Sequence, residues 1–115
     1  MRHLGSPGLQ LVAIGVLHNL VGLVLGSEPL LALAQDGWFG QVEGSMDRVA
    51  IFWFLWFGWM LMLLGGAVRA LEPGRVPTAL TAGIAAMILG GCATIPVSGF
   101  WLGLIPVAGL VRSRA

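Results

Sequence analysis

His18 is the residue of this chain best suited to chemistry. It stands inside an apolar run, residues 9–25, with Asn19 beside it. An imidazole of ordinary pKa, about 6.5, can hold or pass a proton near neutral pH, and either ring nitrogen can ligate a metal. The alternative is a packing role, with a neutral ring bonded to Asn19, Thr94 or a backbone carbonyl. Metal or haem ligation needs further donors. His3 is terminal and Cys92 is the single cysteine, so no metal site is expected.

The aromatic run Phe52-Trp53-Phe54-Leu55-Trp56-Phe57-Gly58-Trp59 is a second candidate. On a helix, Phe52, Trp56 and Trp59 share one face. Trp59 lies about 15 Å further along the axis than the start of the run's helix, deeper than a headgroup belt requires. With Trp101 these rings suit the wall of a pocket for a flat lipophilic or cationic molecule. Bulky packing and lipid-facing indoles are the weightier alternative. Asp47 and Arg48 form a third candidate, as a helix cap and a snorkelling cation, or as the polar mouth of such a pocket. No catalytic triad, phosphate loop or metal-ligand spacing is present, so the residues favour a non-enzymatic role and leave an enzymatic one open.

The elements that position these residues follow from composition. Hydrophobic residues are 57% of the 115 and charged residues 10%. Soluble domains carry about a quarter charged residues, so this chain cannot cover a water-facing surface. Four apolar blocks, about 9–25, 49–68, 76–95 and 99–111, hold no charge. Segments of about 20 apolar residues match the hydrocarbon thickness, and their backbones must satisfy themselves as helices. The expected fold is therefore all-α, an integral membrane bundle of four antiparallel helices in one domain. The first block lacks a small-residue cleavage site before Glu28 and Pro29 and is read as a retained helix. The fourth is short and interrupted by Pro106, so a re-entrant segment is the alternative to a fourth span.

Orientation follows from the arginines. Arg2, Arg69, Arg75, Arg112 and Arg114 fall on one side of four spans, and only Arg48 falls on the other, beside Glu28, Asp36, Glu43 and Asp47. Positive charge is retained in the cytoplasm, so both termini are expected there, with the acidic loop 26–48 outside. That loop begins with a proline-initiated helical stretch, and Leu30, Leu31, Leu33, Trp38 and Phe39 suit an interfacial element. Glu72-Pro73-Gly74-Arg75 reads as a turn. Gly22 with Gly26, Gly99 with Gly103, and Ala82 with Ala86 and Gly90 have small-residue spacing, which serves close packing within the chain or a homodimer. No basic stripe for nucleic acid exists.

Gly15-Val16-Leu17-His18-Asn19-Leu20-Val21-Gly22, Asp47-Arg48 followed by Phe52-Trp53-Phe54, and Pro96-Val97-Ser98-Gly99-Phe100-Trp101 resemble a family of small bacterial four-helix membrane proteins of unknown function, DUF6463. The resemblance implies a bacterial inner-membrane protein and carries no activity or site. Small multidrug transporters share the length and helix number, but their hallmark is a membrane-embedded glutamate in the first helix. Every apolar block here lacks acids, although His18 has a comparable depth. The leading expectation is an outward-facing intramembrane pocket for a small lipophilic ligand, using His18, Asn19, Trp56 and Trp59 in its floor and Asp47 and Arg48 at its mouth. Phe52 and Trp101 complete its aromatic wall. A structural or accessory subunit, and a transporter or intramembrane enzyme in which His18 moves a proton, are the rival expectations.

Overall fold

The computed structural model describes residues 5–113 apart from Pro73 and Val97. Arg2, His3 and Arg114 lie outside the described residues. The described chain is all-α: α1 (Pro7–Leu25), α2 (Ser27–Gln35), α3 (Met46–Leu71), α4 (Thr78–Thr94), a 3-10 turn (Gly99–Gly103) and α5 (Leu104–Arg112). Two helices are long and apolar enough to cross a membrane, α1 with 19 residues and α3 with 26, each at mean hydropathy 1.9. The remaining apolar stretches, Thr78–Thr94 and Gly99–Arg112, are shorter.

Local chemistry sets these boundaries. Ser6 caps α1 by accepting the Leu9 N–H at 3.3 Å, and Pro7 occupies a first-turn position where no N–H is required. Gly26 separates α1 from α2. The expected outer-loop helix is α2. A turn follows it in which Gly37, Gly40 and Gly44 have positive φ, as does Trp38 at +67°. That region is disfavoured for a residue with a Cβ. Ser45 then caps α3, which begins a turn earlier and ends a turn later than the apolar block at 49–68. The fourth block is not one continuous α-helix. It enters as the 3-10 turn, and Pro106 falls in the first turn of α5, where a missing N–H is tolerated.

The most extensive packing joins α1 to α3, antiparallel. Gly8, Gly15 and Gly22 recur every seven residues on α1, and Gly58 and Gly65 do so on α3. A seven-residue repeat holds one seam between two gently crossed helices. Here the seam is glycine, so the backbones meet. A Cβ on Gly8 would lie 2.4 Å from the Arg69 nitrogen, and one on Gly65 2.7 Å from the Gly8 oxygen. Gly22 and Gly26 face Phe54 and Ile51 of α3, within the chain. Gly103 abuts Ile88, but Gly99 meets open space, and Ala82, Ala86 and Gly90 are exposed on α4.

α4 packs on α5 and the 3-10 turn, again antiparallel: Gly91 lies against Phe100 and Gly103 against Ile88. A core of Leu11, Leu61, Val68, Val76, Ile84 and Leu110 joins the two pairs near one end of the molecule. At that end Pro7 approaches Gly109, so the described chain ends lie together beside the link from α3 to α4. Arg69, Arg75 and Arg112 are on these segments, whereas Glu28, Asp36, Glu43, Asp47 and Arg48 are on the segments at the opposite end.

Candidate functional site

Away from the core end, the two helix pairs separate and enclose a groove of about 690 Å³. Its floor is Leu11, Leu61 and Ile88, and its lining continues past His18 to Leu25, Ala50 and Ser98 at the acidic-loop end. Trp53, Phe54 and Phe57 of α3 and Phe100 of the 3-10 turn supply aromatic walls. His18 is the one ionisable side chain in the lining.

The position of His18 is determined on three sides. Its Nε2 lies 2.8 Å from the Phe54 carbonyl oxygen, and its ring stacks on the Phe54 ring at 3.8 Å between centroids and 14° between planes. Phe57 meets it edge-on at 5.4 Å. A carbonyl oxygen can only accept, so Nε2 carries the proton and donates it. In the neutral ring Nδ1 is then an acceptor, and among the described residues no donor reaches it. Of the partners considered for a packing histidine, the backbone carbonyl is the one found.

Asn19 points elsewhere. Its Oδ1 is buried without a hydrogen-bond partner and occupies the space that Gly58 leaves: a Cβ there would be 1.8 Å from it. The model for the family of unknown function DUF6463 matches residues 5–115. The chain belongs to the DUF6463 family. No curated protein and no solved structure matches it. Among the described residues of this DUF6463 protein, no group of three or more histidine, cysteine or acidic residues could hold a metal ion.

The structure brings together a different set of side chains from the expected pocket. His18 lines the groove with Trp53, Phe54 and Phe57, but Asn19, Phe52, Trp56, Trp59 and Trp101 do not line it. Phe52 stacks on Trp56 at 5.2 Å, as its helical spacing requires, and both lie on the exposed surface of α3 with Trp59. Trp101 donates its indole N–H to the Pro96 carbonyl at 2.7 Å. The helix phase explains the difference. Trp53 and Phe57, four residues apart, turn into the groove, where Phe57 meets Phe100, whereas Trp56 and Trp59 fall on a face outside it that is exposed among the described residues.

Asp47 and Arg48 are also absent from the groove lining. The α3 cap is Ser45, whose hydroxyl accepts the Arg48 N–H at 3.4 Å; Asp47 lies in the first turn, where its charge complements the helix dipole. Arg48 pairs with Asp36 and donates to the Gln41 carbonyl at 2.9 Å. It therefore ties the loop that follows α2 to α3.

One functional-looking cluster was not anticipated. Glu72, at the C-terminus of α3, accepts hydrogen bonds from the Ser6 hydroxyl, from the Gly8 N–H at 2.6 Å and from Arg69 at 3.1 Å. Its side chain is 14% exposed. Burial alone would raise its pKa, but the bonds from Ser6, Gly8 and Arg69 together hold it below the ordinary carboxylate value. The carboxylate also satisfies orphan N–H capacity at the start of α1. The Ser6-Pro7 start and the Arg69/Glu72 spacing are visible in the sequence, but their meeting is a tertiary event.

Proposed function

We propose that this protein is a multi-pass membrane protein that binds a small lipophilic molecule in the groove around His18. One observation carries the reading: an apolar, aromatic-walled groove of about 690 Å³ whose lining contains a single ionisable side chain. Ligand sites are typically concave, largely apolar, about 300–1,000 Å³ and equipped with few polar groups. In this reading α1, α3, α4 and the 99–112 segment all cross the bilayer. The arginine-bearing end is cytoplasmic, and the groove opens toward the outer leaflet. The lengths of α1 and α3 support this, and so does the arginine bias, with Arg69, Arg75 and Arg112 at one end and Arg48 at the other. An ionisable group at such depth is a functional candidate because its placement in hydrocarbon is expensive.

The test is saturable uptake of the apolar probe diphenylhexatriene by the purified protein in lipid nanodiscs. Ala50 lines the groove, so Ala50→Trp should fill it and reduce saturable uptake at least severalfold. Uptake that matches empty discs, or that is the same in Ala50→Trp as in the native protein, would sink the binding role. A second reading, as an accessory subunit, is supported by the outward small-residue face Ala82, Ala86 and Gly90 of α4. A single stoichiometric partner lost on Ala86→Leu would favour it.

A further inference from the structure

The groove lining has an asymmetric polar inventory. Ser98 is committed: its hydroxyl donates to the Ile95 carbonyl at 2.7 Å and accepts the Phe100 N–H at 3.3 Å. Trp53 contributes an indole N–H, which is a donor only. His18 spends its donor on the Phe54 carbonyl and keeps Nδ1 as an acceptor. Among the described lining residues, Nδ1 is therefore the one side-chain acceptor without a donor.

We infer that the ligand is of the phenol class, an apolar aromatic body whose one hydroxyl donates to Nδ1 of His18. The inference rests on the groove reading above and adds the chemistry of the occupant. Ketones, ethers and esters carry only acceptors, so their lone pairs would face the lone pair of Nδ1. An ammonium would donate, but it would enter an apolar groove with no acid to compensate its charge. A hydroxyl is neutral, donates once, and retains an oxygen lone pair for an N–H such as that of Trp53. A phenol is a stronger donor than an aliphatic alcohol, and its ring suits the aromatic walls formed by Trp53, Phe57 and Phe100. No bond is made or broken; the step is recognition alone.

The experiment compares para-octylphenol with its methyl ether, para-octylanisole, by quenching of tryptophan fluorescence in nanodiscs. The two differ by the donor and little else. The native protein should bind the phenol about 3- to 30-fold more tightly, the range given by one hydrogen bond in a membrane interior. His18→Phe keeps the ring and removes the acceptor, so it should bind the two equally. A measurement on the native protein guards against a variant that fails to fold: the nitrogen-15 resonance of His18 Nδ1 should move on addition of the phenol and stay fixed with the ether. Equal affinities for the native protein, or an Nδ1 resonance indifferent to the phenol, would overturn the donor assignment while leaving the groove reading intact. Absence of saturable binding by both compounds would overturn the groove reading itself.

Discussion

At the level of single residues, the two strongest polar anchors are His18 and Glu72, and they act differently. His18 joins α1 to α3 through one hydrogen bond and one stacked ring. In the proposed membrane setting such hydrogen bonds are worth about 0.6–2 kcal/mol, so His18→Ala should lower unfolding stability by about that amount plus the lost stacking. Chemical unfolding in mixed micelles measures it. Glu72 clamps the first turn of α1, and Glu72→Gln should cost about 1–3 kcal/mol because donors there lose a charged acceptor. Its folded pKa is lowered, so the unfolded chain binds the proton more readily. The clamp's contribution is therefore fully present above the unfolded pKa, about 4.3, and is lost as pH falls through the folded pKa. Melting temperature followed from pH 7 downward should decline in the native protein in that acid window. The decline should be smaller in Glu72→Gln.

At the level of elements, the glycine seam decides how closely α1 and α3 meet. Gly8→Ala places a Cβ against backbone atoms of Arg69 and Gly65, which no side-chain rotation can relieve. It should destabilise by about 1–3 kcal/mol, as overpacking does. Gly66→Ala offers the converse: it is next to the seam residue Gly65 on α3, its Cβ meets open space, and the replacement favours helix by up to about 1 kcal/mol. Opposite signs for the pair in a thermal unfolding series are the expected outcome; equal effects would mean that the seam does not limit the approach. The repeat of Gly8, Gly15 and Gly22 was present in the chain, yet spacing alone could not tell it from other small-residue spacings. Ala82, Ala86 and Gly90, spaced by four, also share one helix face, and they point outward. Which stripe is buried depends on the partner helix, and only Gly58 and Gly65 on α3 offer a matching surface.

At the scale of the whole molecule, the proposed orientation makes a prediction that is independent of any ligand. Glu43 and Ser113 are exposed and lie at opposite ends. In a Cys92→Ala background, Glu43→Cys should react with a membrane-impermeant maleimide applied to intact spheroplasts. Ser113→Cys should react only after the membrane is opened. The reverse pattern would invert the orientation, and labelling of both from outside would remove the fourth crossing. The groove belongs to this scale too, because it exists only where the α1/α3 pair and the α4/α5 pair diverge.

The all-α class, the four apolar segments, the short helix after the first of them and the uneven placement of the arginines were legible in the chain itself, because hydropathy and charge are properties of local composition. His18 was legible as a candidate for the same reason: an ionisable group within an apolar run is conspicuous without knowing its neighbours. What surrounds it was not legible. Helical phase places Trp53 and Phe57 in the groove and leaves Trp56 and Trp59 outside, although all four belong to one aromatic run. The phase of a helix that is apolar on every side is not written in its own sequence. It is set by the neighbour it packs against, here through glycines that bring α3 to α1. Likewise Ser45 took the cap assigned to Asp47, and Glu72 found Ser6 across 66 positions of chain. Such pairings are decided by distance in space, and only the tertiary structure supplies it.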